Sequence, residues 1–345
     1  IYAVTGSDGK TTTTTIIAEL LAAEGKTVHK GGNIGRALLP IIEEVKEDDA
    51  AVVELSSFQL ISMRRSPDVA AITNITPNHL NVHKDMQEYI DAKANLLIHQ
   101  NAFGKAVLSA DNETAKNLAP LVRGQLAFFS RREKVENGAF LREDGMLCYN
   151  DYGTVTPVVH MNDIKIPGLH NVENYLTAIA VTWGKVKPET VVKIAREFGG
   201  VEHRIELVRE LDGVKYYNNS IASSPTRVIA CLNTFAQKQI MIMGGSDKGI
   251  SFEPMADLVC EKVKLLILMG QTKEKIKAAV MASPKFADSG LEIIIVNDMA
   301  EAVNTAHSHA KSGDIVSLSP ACASFDMYRM FEDRGNHFKS LVNAL

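Results

Sequence analysis

The chain has 345 residues, of which 46% are hydrophobic and 23% charged, and carries a formal net charge of −4. That length suggests two domains with a core each, and a chain without a basic tract gives no indication of nucleic acid as a partner. No stretch reads as a membrane span or a signal peptide, and Cys148, Cys231, Cys260 and Cys322 form no CxxC pair, which gives no zinc signal and fits a reducing cytoplasm.

The opening stretch, IYAVTGSDGKTTTTT, reads as a short strand, a Gly-rich turn and a helix. Gly6 and Gly9, on either side of Ser7 and Asp8, let backbone N–H groups crowd around an anion, and the helix that opens near Lys10 adds its positive end. Lys10 offers a point charge to the outer phosphates of a nucleotide, and the hydroxyl of Thr11 or Thr12 can ligate the accompanying Mg²⁺. Val4 stands where GxxxxGK[ST] has its first glycine, so the loop is a shorter GxxGKT. Ile16, Ile17, Leu20 and Leu21 supply the helix's apolar face, which stops near Gly25.

GGNIG follows, where Asn33 is either a turn residue or an amide that reaches a ligand. The run from Ala50 to Leu60 is a buried strand ending at Glu54, an acid placed to hold Mg²⁺ opposite the phosphate loop or, more plainly, a cap or surface acid. Ser56, Ser57 and Gln59 can add polar contacts to phosphate or substrate. Val69 to Ile72 is a further strand, and His79 lies shortly past its carboxyl end, where a structural role competes with a metal or substrate role. Asp85 and Glu88 resemble a capping box for a helix running to about His99. Lys93 falls on that helix's apolar stripe of Met86, Tyr89, Ile90 and Leu97. Either its head snorkels to water, or it is a desolvated amine of lowered pKa that can form a carbamate with CO₂ and ligate a metal.

Residues 104–163 read as short strands and turns forming the outer part of the first domain. In GLHNVEN, Asn171 and Asn174 stand at a helix start, where Asn171 can cap the helix and the amides can read an adenine edge. The domain boundary is expected at Phe198 to Glu202, in EFGGVEH, with His203 and Arg204 at the hinge and Arg204 able to meet phosphate. The predicted domains are residues 1–200 and 201–345. The second half resumes a βαβ rhythm, and its loops NNSIASSP, GGSDKG and SPACASFD each follow a strand, so they are expected on one edge.

Taken in order, GSDGKTTTT, the NIG turn, ELSSFQL, NHL, the lysine in DAKANL, GLHNVEN, EHR and GGSDKG resemble the Mur ligase family, ATP-dependent amide ligases of peptidoglycan precursor assembly. The final segment, SLSPACASFDMYRMFEDRGNHFKSLV, is similar to that of members adding D-glutamate to UDP-N-acetylmuramoyl-L-alanine. The resemblance implies an α/β protein with a central phosphate-loop ATPase domain built on a parallel-rich sheet, and a C-terminal Rossmann-like domain for the amino acid. It implies an acyl-phosphate mechanism in a cytoplasmic monomer without nucleic-acid or membrane partners. It makes Lys10, Lys93 and His79 catalytic. Thr11, Glu54, His79 and carbamylated Lys93 become Mg²⁺ ligands. ATP falls to Gly6–Thr12, Asn171, Asn174, Arg204 and the ribose-side position Asn219. Asn33, Ser56 and His203 fall on the substrate side, with Lys248, Ser324, Phe325 and Phe331 around D-glutamate.

Two residues depart from the family pattern: Asn219 stands where an acid is expected and Ile221 where a lysine is expected near substrate. The family also carries a UDP-binding domain, expected to precede Ile1; without it the chain is expected to bind ATP but to hold the UDP substrate poorly. Rival readings are a sister ligase with another amino acid, a phosphate-loop kinase or switch, and a catalytically silent nucleotide-binding protein.

Overall fold

A computed structural model describes residues 1–34, 38–77 and 83–345, arranged in two units, Ile1–Phe198 and Gly199–Leu345. The first unit runs β1 (Tyr2–Thr5), α1 (Lys10–Ala23), β2 (Val28–Gly32), β3 (Ala50–Glu54), α2 (Ser57–Leu60), β4 (Val69–Ile72), α3 (Met86–Ile98), β5 (Lys105–Ser109), α4 (Glu113–Lys116), β6 (Gln125–Ser130), β7 (Asn137–Leu141), β8 (Met146–Asp151), β9 (Thr154–His160), α5 (Leu169–Thr182) and α6 (Pro188–Glu197). Among the described residues the strands form one sheet in the order β2-β3-β1-β4-β5-β6-β7-β8-β9. It is parallel from β2 through β7 and antiparallel only at β7-β8-β9.

Alternation of side chains along each strand covers both faces. Val4, Val52, Ala71 and Val107 pack against Ile16, Ile17 and Leu20 of α1 and Val172, Tyr175 and Leu176 of α5. Ala3, Ala70, Ile72, Ala106 and Leu108 face the other way, onto Tyr89, Leu96 and Leu97 of α3. Residues 104–163 are therefore more than an outer region. β5 pairs directly with β4, and its Val107 and Leu108 reach the cores on opposite faces. The first strand has β3 on one side and β4 on the other, so strand order reverses at β1 and opens a crevice past its carboxyl end.

The second unit runs β10 (Glu206–Leu211), β11 (Val214–Asn218), α7 (Pro225–Leu232), β12 (Gln239–Gly244), α8 (Glu253–Lys262), β13 (Val263–Met269), α9 (Lys273–Met281), α10 (Phe286–Ser289), β14 (Glu292–Ile295), α11 (Met299–His309), β15 (Ile315–Leu318) and α12 (Phe331–Ala344). Its sheet has the order β10-β11-β15-β12-β13-β14, parallel except for β10. Met241, Met243, Leu266 and Leu268 face α7, α8 and α9, while Ile240, Ile242, Leu265 and Ile267 face α11 and α12. The sequence reading has no strand at β10. Its signal is the Asp212-Gly213 pair, both at positive φ (52° and 78°), which closes a tight hairpin to β11.

Candidate active site

The phosphate loop leaves β1 into the crevice, and its glycines are sterically required. A Cβ on Gly6 (φ 152°) would meet Thr73 Oγ1 at 1.9 Å, and one on Gly9 (φ 79°), the N-cap of α1, would meet Asn174 Oδ1 at 2.5 Å. The segment after β4 pins the loop from behind. Thr73 Oγ1 donates to Asp8 O at 2.6 Å, Asn74 Oδ1 accepts from Asp8 N at 2.9 Å, and Ser7 Oγ accepts from Thr76 N at 2.9 Å. Backbone of the loop is thereby held in a curve with the start of α1 behind it. Thr12 is buried in α1, and Thr11 faces Glu54.

Lys10 curls over this loop, Nζ donating to the carbonyls of Gly6 at 2.9 Å and Ser7 at 3.0 Å. The Gly6 carbonyl also accepts from Lys93 Nζ at 3.0 Å, so two lysine nitrogens meet at one oxygen. Lys93 does not snorkel: it is 1% exposed, with its nitrogen 4.6 Å from the centroid of the Tyr89 ring and 3.3 Å from Thr5 Oγ1. Burial first, and the neighbouring Lys10 charge second, lower its pKa to about 7 against the opposing pull of Glu54 and Asp8. The shift favours the neutral amine, the state that attacks an electrophile such as CO₂.

Glu54 ends β3 opposite the loop, as its Val4↔Glu54 pairing requires, and is only 2% exposed. Its hydrogen-bond donors are neutral: Thr11 Oγ1 reaches Oε2 at 2.7 Å and Asn33 Nδ2 reaches Oε1 at 2.9 Å. A buried carboxylate and a hydroxyl side by side are hard oxygen donors that suit Mg²⁺. Among the described residues no three His, Cys, Asp or Glu side chains gather as a metal cluster, and His79 lies outside the described residues.

Three placements differ from the sequence reading. Ser56 is the N-cap of α2 and forms a reciprocal capping box with Gln59. The Asp85 cap of α3 is one-sided: Asp85 accepts from Glu88 N, but the Glu88 carboxylate turns to Lys84 N and His83. Asn171 does not cap α5, whose N-cap is Gly168; it donates to Pro167 O at 2.7 Å and accepts from Asn174 Nδ2 at 2.9 Å. Asn174 also accepts from Thr13 Oγ1 at 3.1 Å, so both amides are buried struts behind the loop.

In the second unit the loops after β11, β12 and β15 do converge. Asn219 Nδ2 donates to Ser319 Oγ at 2.8 Å, and Ser246 pairs with Ala323. Lys248 Nζ lies 3.5 Å from Ser223 O, Ser324 is buried, and Phe325 is 73% exposed. His203 takes positive φ (63°), bonds Asn218 Nδ2 at 2.9 Å and meets the Phe331 ring edge-on; Arg204 follows it in a turn closed by its N–H onto Val201 O.

Residues 4–182 match the Mur ligase middle domain, and residues 203–322 match the glutamate ligase domain of Mur ligases. The chain belongs to the Mur ligase family. UDP-N-acetylmuramoylalanine–D-glutamate ligases of Ruminiclostridium cellulolyticum and Acetivibrio thermocellus are each 50% identical to it over 347 residues, covering all of this chain and 74% of theirs. That of Clostridium acetobutylicum is 49% identical over 346 residues, with the same coverage. Among solved structures, MurF from Acinetobacter baumannii aligns with a TM-score of 0.72 at 18% identity, covering 98% of this chain and 76% of that one. MurC from Thermotoga maritima gives 0.66 at 17%, covering 99% and 75%. These two show the fold.

In this Mur ligase several site-building residues escape a sequence reading because their partners are distant in the chain. His83 bonds Ser57 Oγ through Nε2 (2.8 Å) and Glu88 Oε2 through Nδ1 (3.1 Å), with the Phe58 ring stacked on it at 5.0 Å. The His83 ring also meets Tyr89 edge-on at 5.3 Å, and Tyr89 OH bonds Ser7 Oγ at 3.0 Å. Ser57 and His83 are both buried, so this chain of bonds braces Tyr89 beneath Lys93. Arg334 is likewise buried and ties the loops of the second unit together, donating to Ser220 Oγ and to the carbonyls of Ser220, Cys322 and Ala323. Burial lowers its pKa to about 10.

Proposed function

We propose that the chain is the catalytic part of an ADP-forming ligase that joins D-glutamate to UDP-N-acetylmuramoyl-L-alanine in peptidoglycan precursor synthesis. The observation that carries this reading is the buried Lys93 amine, with its pKa of about 7, beside a phosphate loop and the Glu54–Thr11 pair. The choice of substrates rests on the relatives, about 50% identical along the whole chain, that bear that name. ATP enters at residues 1–200 and the amino acid at residues 201–345. The substrate carboxylate attacks the γ-phosphorus, ADP leaves, the amine of D-glutamate attacks the acyl carbon, and phosphate departs as the amide forms.

Each residue has a task in that sequence. The loop N–H groups and Lys10 hold the phosphates, so negative charge passing to ADP stays compensated. Glu54 and Thr11 would hold Mg²⁺, and carbamylated Lys93 would add an anionic oxygen for a second ion; bound Mg²⁺ neutralises phosphate charge during transfer. His79 is assigned to the same task. Asn33 keeps Glu54 oriented. Lys248, Ser324 and Phe331 hold D-glutamate. The enzyme acts as a monomer in the cytoplasm.

The test is phosphate release from ATP by the intact enzyme in bicarbonate buffer. The expected result is release that needs both UDP-N-acetylmuramoyl-L-alanine and D-glutamate, and that collapses in Lys93→Ala with partial rescue by a short carboxylate. Release with a different amino acid would move the enzyme to a sister activity. ATP binding without release would make it a silent nucleotide binder.

A further inference from the structure

The loop after β11 turns at Ile221, Ala222 and Ser223 before entering α7, and two cations from different elements reach that turn. Arg227, in the first turn of α7, donates Nη1 to Ile221 O at 2.8 Å. Lys248, in the loop after β12, places Nζ 3.5 Å from Ser223 O. Among the described residues neither is ion-paired. Asp247 lies next to Lys248 in the chain, but its carboxylate is already engaged by Lys275 at 3.1 Å and by Gly249 N at 2.8 Å. The N-cap of α7, Ser224, makes no side-chain cap bond, so the helix's positive end adds to the same field.

A guanidinium that spends one of its five N–H groups on a carbonyl keeps the rest for a ligand, and its fork matches a carboxylate. Both side chains are exposed, and their heads reach carbonyls two residues apart on one turn, where they are open to an anion arriving from solvent. A ligand with two carboxylates would satisfy both. We propose that Arg227 selects the amino-acid substrate by gripping its second carboxylate while Lys248 takes the first. The assignment rests on the reading of the chain as an acidic-amino-acid ligase. It names Arg227 as the residue that distinguishes a dicarboxylate from a neutral amino acid.

The test is steady-state kinetics of the intact enzyme with Arg227→Gln and Arg227→Lys, varying D-glutamate, ATP and the UDP substrate separately. Loss of a charged hydrogen bond predicts a KM for D-glutamate raised about 10- to 100-fold in Arg227→Gln. KM for ATP should stay within about twofold, and Arg227→Lys should recover part of the loss because it keeps charge without the fork. An unchanged melting temperature separates this from misfolding; should Arg227→Gln fail to fold, the Arg227→Lys KM decides. A wild-type KM for D-glutamate in either folded variant overturns the assignment, as does a rise confined to ATP. A parent enzyme that ignores D-glutamate overturns the functional reading and the assignment with it.

Discussion

Replacing Lys93 by methionine should change how stability depends on pH, and by a calculable amount. The unfolded lysine titrates at about 10.4 and the folded one at about 7, so between these values the unfolded state binds more protons. Stability of the wild-type chain therefore rises with pH through this window, because the folded state has already shed the buried charge. Below pH 7 both states are protonated and the full penalty of the buried ammonium is felt. Each pH unit above 7 is worth about 1.4 kcal/mol, so the wild type should gain about 3 kcal/mol on Lys93→Met between pH 6 and pH 9. Lys105, whose amine burial lowers to about 8, is common to both proteins and cancels in the difference. Urea unfolding at a series of pH values in CO₂-free buffer measures it, with equal m-values as the control. Parallel curves for the two proteins would refute the claim that Lys93 is a desolvated amine. Added bicarbonate should then stabilise the wild type alone, since only it can bind CO₂ at this position.

Gly6→Ala should abolish ATP binding and destabilise the chain by about 1–3 kcal/mol, because its Cβ would overlap Thr73 Oγ1 and its φ is positive; calorimetric titration with ATP and thermal melting read both. His83→Ala leaves the buried Ser57 hydroxyl without its partner, takes one of two partners from the Glu88 carboxylate and opens the side of Tyr89. It should cost about 1–3 kcal/mol and lower kcat more than it raises KM for ATP, with partial recovery in His83→Gln. Equal loss in the Gln and Ala variants would argue against bracing. Arg334→Met takes the buried carbonyls of Ser220 and Cys322 away from their donor, and leaves Ala323 O only the N–H of Ser246. It should destabilise the second unit by about 3 kcal/mol or more, seen as an earlier transition in denaturant, while leaving ATP affinity of the first unit unchanged.

Local chemistry was legible wherever a short stretch carries it alone. A strand, two glycines and a Lys-Thr pair define the phosphate loop; alternating strand and helix patterns define parallel sheets; and Glu54 reads as the acid ending β3. Lys93 on an apolar helix stripe raised the question of its charge but could not answer it, since a stripe does not say whether a long side chain finds water. Tertiary packing decided that, by placing Tyr89, Thr5 and the Gly6 carbonyl around the nitrogen and Lys10 on the same oxygen. Packing likewise turned Asn171 and Asn174 inward, gave Ser56 to a helix cap, and joined Ser57, His83 and Glu88. Residues 83 and 57, or 334 and 220, are remote in the chain and meet only when strands pair. Desolvation and hydrogen-bond partnership are properties of that meeting, whereas turn geometry and periodicity belong to neighbours in sequence.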